Sequence, residues 1–491
     1  MDGRSVLLHS VTSVAALCLW IFQEAELFEG EAVFLMMTVL FGLYVFMSLY
    51  LASVHNRNGI FSYIVILLFF QFFGQVWVGN FSYIFENETH IDWYFMNKSM
   101  LLCFFSVLGL EAASQVGLFE RKGRKLGAYM FPRIEAEGIY LRRCLIMFLF
   151  STSITVIMLR LGISGYADAD AISRGVGAYA SFAQYLNYLS AGGSIALYLL
   201  FYECLCRPTG LKKMMFSLML LVSLGGALIS GMKKDVFIIF VCLFMIYSLV
   251  RKRVNPWFIV VMAISVLVVY QFVDAYRTAL RAEDYSGDRL GTFIDVVLGS
   301  FSDTGLYKSS EGFAEQLGKF WRRISLVDAL AVIVEYKDNV GLDENDPAFL
   351  QDLLLLPITV FVPRILMPFK SMSVYGLWVS HTVMGMHESI ISSSYVTVEG
   401  FFYLAGGILL LPIGFFLLGG VLSFWSGFFR LEERSPLFVI IFFLVALRLV
   451  EPSTPIDIVT ATTRGAIIYT LMGWWLLRWE PGRHRQGERR E

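Results

Sequence analysis

The sequence predicts an all-α, polytopic integral membrane protein with about twelve transmembrane helices and one large external loop of short helices. Three observations predict it. The 491 residues are 57% apolar and 16% charged, with a mean hydropathy of +0.65, a composition foreign to water-soluble domains. Apolar runs of about 20 residues, the length a helix needs to cross a bilayer, recur along the chain. The charges between those runs are sorted by loop, although the formal net charge is only -1. Because of that sorting the net charge says nothing about partners, and no nucleic-acid partner is expected.

In chain order the apolar runs are 5–23, 32–54, 61–79, 95–118, 143–161, 179–203, 213–231, 236–250, 256–273, 398–428, 436–451 and 462–479. The first resembles a signal peptide, but no small-residue cleavage site follows it and many spans do. The run at 236–250 is short, so its helix tilts little or starts in the preceding turn. The run at 398–428 is too long for one straight span, and Pro412 is expected to kink it. The chain thus divides into an N-terminal transmembrane bundle (1–273), the external loop (274–397), C-terminal transmembrane helices (398–479) and a basic tail (480–491). The six cysteines lie in or beside apolar runs and none in the loop, so neither a disulfide framework nor a zinc spacing follows.

The charges fix an orientation. With the N-terminus inside, the cytoplasmic loops hold Arg57; Arg121, Lys122, Arg124, Lys125, Arg133, Arg142 and Arg143; Arg207, Lys212 and Lys213; Arg251, Lys252 and Arg253; and Arg430 and Arg434. The short outer loops hold mainly acids, Glu24, Glu26, Glu29 and Glu31 in one and Glu86, Glu88 and Asp92 in another. This is the positive-inside pattern, with both termini cytoplasmic. One outer turn departs from it. The sequence "SGMKKD" (230–235) carries Lys233 and Lys234, which either snorkel from a helix end or meet a lipid headgroup.

Residues 274–397 are too long a stretch for an idle connection. They read as short helices over 274–282, 289–301 and 309–338, then an apolar run over 348–361 that is too short and proline-broken to cross. That run dips into the outer leaflet or packs on the spans as a re-entrant element. Cations recur: Arg277 and Arg281 share a helix face, Lys319, Arg322 and Arg323 flank Trp321, and Arg364 and Lys370 stand among Pro357, Pro363 and Pro368. Arg448 and Arg464 fall within or at the outer ends of the last two spans, where an arginine costs about 2.5–3.5 kcal/mol and so has a partner or a function. The loop's many acids offer ordinary salt bridges. Its arginine forks equally suit the paired oxygens of a pyrophosphate.

Three stretches carry a family resemblance: "LISGMKKD", "FVPRILMPFKSMSVYG" and "SSSYVTVEGFFYLAGGILLLPIGFFLLGG". They resemble the basic turn, the proline-rich external segment and the Ser/Gly-rich approach to a long span of Wzy-type oligosaccharide repeat-unit (O-antigen) polymerases. Those enzymes share their architecture with O-antigen ligases and GT-C-like membrane glycosyltransferases. The likeness spans most of the chain in topology but some 50 residues in sequence, and Ser371 follows Lys370 where the family often has proline. It implies a bacterial inner-membrane enzyme of lipopolysaccharide or exopolysaccharide synthesis. Such an enzyme transfers an oligosaccharide, with inversion, from an undecaprenyl (polyprenyl) pyrophosphate-linked donor to a hydroxyl of an acceptor repeat unit. It also implies a chain-length regulator protein as partner, and neither cofactor nor metal.

That chemistry needs cations for the leaving pyrophosphate and a base for the acceptor hydroxyl. The candidates for pyrophosphate are Arg277, Arg281, Arg364 and Arg464, with Lys233, Lys234 and Lys370 behind them. Those for the base are Glu399, His381 and Asp328. Glu399 also opens a helix, where a carboxylate is favoured in any case. Asp343, Glu344, Asp346 and Asp352 look metal-like, but Pro347 and the missing loop glycine argue for a solvated acidic turn. An O-antigen ligase with the same donor remains open. So does a polysaccharide or lipid transporter, although the chain shows no internal repeat and few mid-span charges.

Overall fold

A computed structural model of the protein describes residues 3–55, 62–81, 83, 91–130, 136–161, 169–251, 273, 276–277, 279–280, 289–301, 325–344, 346–362, 375–387, 396–429, 436–450 and 454–479. The chain is helical, with one short antiparallel strand pair among the described residues. The first helices are α1 (Gly3–Glu24), α2 (Gly30–His55), α3 (Tyr63–Leu67, running on as a π-helix over Leu68–Val78), α4 (Trp93–Val116) and α5 (Leu118–Met130). Strand β1 (Ala136–Ile139) precedes α6 (Leu141–Arg160), α7 (Ala169–Cys206), α8 (Gly210–Ile229) and α9 (Lys233–Arg251). The long loop contributes α10 (Arg289–Phe301), α11 (Leu326–Asn339), α12 (Phe349–Thr359) and α13 (Tyr375–Trp378, running on as a π-helix over Val379–Val383). The chain then forms α14 (Val398–Gly406), α15 (Leu410–Phe429), α16 (Pro436–Val450), α17 (Pro455–Leu476) and β2 (Leu477–Trp479).

Among the described residues six segments are long and apolar enough to cross a membrane: Gly30–Leu51, Trp93–Val116, Leu141–Arg160, Tyr185–Cys206, Gly210–Ile229 and Leu410–Phe429. The protein is therefore a membrane-embedded helical protein. Most of the ninth predicted span, 256–273, lies outside the described residues.

Two compact units make up the chain. The first comprises residues 1–132, 312–432 and 445–464. In it α4 is packed by α1, α2, α11, α14 and α15. Phe104 of α4 meets Phe41 edge-on at 5.0 Å between ring centroids and stacks on Tyr44 at 5.5 Å. Phe72 and Phe402 both close on Phe415. Lipid supplies no hydrophobic drive between helices, so close packing has to hold them. Glycines permit it: a Cβ on Gly109 would overlap the Pro412 carbonyl oxygen, and one on Gly42 would overlap the Trp77 ring.

Two sequence readings in this unit are corrected. The run at 398–428 does not kink at Pro412; it breaks into α14 and α15 at Gly407, which adopts φ +69°. Only glycine takes that conformation without strain. Pro412 falls in the first turn of α15, where its missing N–H forfeits no intrahelical bond. The basic stretch after α4, read as a loop, is the helix α5. Its Gly123 and Gly127 lie against the Phe424 and Phe428 carbonyls of α15, and Gly427 lies against the Glu120 carbonyl, each too close for any side chain.

The second unit comprises residues 133–311, 433–444 and 465–491. Here α7 packs on α6, α8 and α9. Gly192 and Gly193 bring α7 against Ser151 of α6, whose Oγ donates to the Leu189 carbonyl at 2.8 Å. Leu211, Met214, Leu218 and Leu221 of α8 point outward and exposed, a surface suited to lipid chains. The pair β1–β2 aligns Ala136 with Trp479 and Ile139 with Leu477.

Candidate functional site

In the second unit the α8–α9 turn is built by Ser230 and Gly231. Gly231 adopts φ +67°, which lets the chain reverse over three residues. Ser230 Oγ accepts from the Met232 N–H at 3.1 Å and lies 2.7 Å from the Ala227 carbonyl and 2.9 Å from Asp235 Oδ2, either of which takes its single proton. Asp235 sits in the first turn of α9, favoured there by the helix dipole. Onto this turn comes Arg277: its Nε donates to the Gly231 carbonyl at 2.8 Å and its Nη2 lies 3.8 Å from Met232 Sδ. Tyr276 donates its OH to the Ile229 carbonyl at 3.2 Å and packs with Leu280, Phe293 and Val296, so α10 buttresses the same segment. Lys233 and Lys234 are the first two residues of α9. Arg277, 46 residues beyond Gly231 in sequence, is thus seated on the turn that precedes the two lysines opening α9.

In the first unit Glu399 is fully buried in the first turn of α14. Thr397 caps that helix, its Oγ1 accepting from the Gly400 N–H at 2.9 Å. The Glu399 carboxyl accepts from Gln71 Nε2 at 3.2 and 3.3 Å, one contact to each oxygen. Gln71 belongs to the π-helix that follows α3, a widened helix often found at functional positions. One turn beyond Glu399, Tyr403 donates to Asp338 Oδ1 at 2.5 Å, and Lys98 pairs with Asp338 Oδ2. Lys337 donates to the Tyr403 carbonyl, its ammonium 4.4 Å from the Tyr403 ring centroid. Burial pushes Lys337 below the ordinary lysine range, with Lys98 adding to the shift and Asp338 opposing it. α4, α11 and α14 are joined through these four side chains.

Arg464 has a visible structural task. Its guanidinium donates to the Val360 carbonyl and, through Nη2, to Thr359 at 2.8 Å and Val362 at 3.3 Å. These carbonyls end α12, and a cation there is favoured by the helix dipole. Tyr375 donates to Asp352 at 2.5 Å and Trp378 Nε1 to Asp346 at 2.8 Å, so two of the metal-like acids tether α13 to α12. Asp328 is half-buried in the first turn of α11 and His381 half-buried in the π-helix after α13. The side chains of Lys233 and Lys234 lie outside the described residues, as do Arg281, Arg364 and Lys370 altogether.

The sequence reading missed Gln71, Lys98, Lys337, Asp338 and Tyr403. A signal existed for the first: a lone amide in "LLFFQFF" needs a polar partner within hydrocarbon. Tyr403 stands four residues after Glu399, on the same helix face. Compared with protein-family models, curated proteins and solved structures, the chain matches none.

Proposed function

We propose that the protein polymerises lipid-linked oligosaccharide repeat units at the external face of a bacterial inner membrane. This reading includes twelve spans, both termini in the cytoplasm, and residues 274–397 outside as a loop between the two transmembrane parts. The observation that carries it is Arg277 seated on the turn from which Lys233 and Lys234 open α9. Charged donors beside a helix start suit a pyrophosphate, which gains from several cations at once.

In the reaction the acceptor hydroxyl oxygen attacks the anomeric carbon as the bond from that carbon to the pyrophosphate oxygen breaks. The electron pair leaves with the pyrophosphate, whose growing charge the Arg277 and Lys233–Lys234 cations stabilise. The hydroxyl proton passes to a base, for which the sequence offers Glu399 first. Its described partner is an amide, which favours the ionised carboxylate less strongly than a cation would. Arg464 is removed from the first rank of pyrophosphate ligands because three carbonyls occupy it.

The test is a purified preparation supplied with polyprenyl-pyrophosphate-linked repeat units, its products resolved on a gel. A ladder spaced by one repeat supports polymerisation. A single transfer onto a lipid-core acceptor assigns ligation instead, and unmodified donor moved across a vesicle membrane assigns transport.

A further inference from the structure

We propose that α5 is a membrane-surface helix that holds anionic phospholipid headgroups. The span α4 ends at Val116, Gly117 turns the chain at φ +57°, and α5 starts with the next residue. The helix therefore begins at the membrane boundary. Its inner face is fixed by Gly123 and Gly127 against the last two turns of α15. Its outer face presents Leu118, Lys122, Lys125 and Tyr129, spaced four, three and four residues apart and all exposed, with Arg121 and Leu126 exposed beside them.

Among the described residues the charges on this face lack protein partners. Glu120 pairs with Arg124, and among the described residues Arg121, Lys122 and Lys125 are in no ion pair. The apolar groups are equally uncovered, Leu118 at 50% exposure and Tyr129 at 86%. A face mixing cations with leucine and tyrosine suits neither bulk water nor hydrocarbon. It suits the boundary between them, where phosphodiester oxygens meet the cations while leucine and the tyrosine ring enter the acyl region. Charge complementarity selects anionic headgroups over zwitterionic ones. The inference is independent of the glycosyl-transfer reading, since it needs only that α4 spans the membrane.

The experiment is native mass spectrometry of the purified full chain titrated with phosphatidylglycerol or phosphatidylcholine. The wild type is expected to bind phosphatidylglycerol the more tightly. Each cation contributes about fivefold, so Arg121→Gln/Lys122→Gln/Lys125→Gln weakens binding by on the order of 100-fold. Glutamine keeps helix propensity, and Lys122→Gln alone, with an expected loss of about fivefold, serves if the triple variant does not fold. Undiminished phosphatidylglycerol binding in these variants, or equal retention of the two lipids by the wild type, overturns the proposal.

Discussion

Half-buried Arg464 and fully buried Glu399 show how differently two ionisable side chains are used. Arg464 gives its guanidinium to three carbonyls around the end of α12. Arg464→Met is expected to lower stability by about 2 kcal/mol, because it strips charged donors from carbonyls that then lack partners. A thermal-unfolding comparison in detergent reads this, and Arg464→Lys should recover part of the loss. Glu399 instead meets a neutral amide. Glu399→Gln keeps the volume and a polar contact with Gln71, so folding should be little changed. As the general base it should cost about 10²–10⁴-fold in polymerisation rate. A variant that polymerises at the wild-type rate removes Glu399 from catalysis.

At the scale of elements, helix contact is set by where side chains are missing. Gly123 touches a carbonyl of α15, whereas Gly225 of α8 has nothing within 4 Å of where a Cβ would stand. Gly123→Ala should therefore destabilise by about 1–3 kcal/mol as α5 lifts off α15. Gly225→Ala should be neutral or stabilising by up to about 1 kcal/mol, from helix propensity alone. Unfolding of the two variants side by side separates the effects, and equal shifts would refute the packing account. Hydropathy made six long spans legible in sequence, and the short helix read over 289–301 matches α10 at both ends. It did not reveal α5, because four cations in a row of five residues look like a loop to any hydropathy window. The break at Gly407 was hidden for a related reason: glycine is common within membrane helices, and the conspicuous proline falls where a helix tolerates it.

At the scale of the molecule, charge sorting gave an orientation that can be checked directly. Val340 follows α11 in the long loop and is 71% exposed. In a background without cysteine, Val340→Cys should react with a membrane-impermeant maleimide added to intact cells. Ala128→Cys, exposed on α5, should react only after the membrane is opened. Reversed labelling would invert the topology and place the loop's chemistry inside. The candidate site was only partly legible. Arg277, Lys233 and Lys234 stood out because cations in the expected outer segments defy the positive-inside pattern. That Arg277 reaches the turn before those lysines depends on its tertiary contact with Gly231, which no local pattern encodes. Gln71 and Glu399, 328 residues apart, lie beyond local pattern for the same reason.

If the turn at Gly231 with Arg277 binds pyrophosphate, a comparison of two lipids will show it. Purified wild type and Arg277→Met are titrated with polyprenyl pyrophosphate and with polyprenyl monophosphate, with thermal unfolding measured in parallel. Wild type is expected to prefer the pyrophosphate, and folded Arg277→Met to lose about tenfold of that preference, the loss of one charged donor. Equal affinity of the wild type for both lipids, or an unchanged preference in the folded variant, would contradict it.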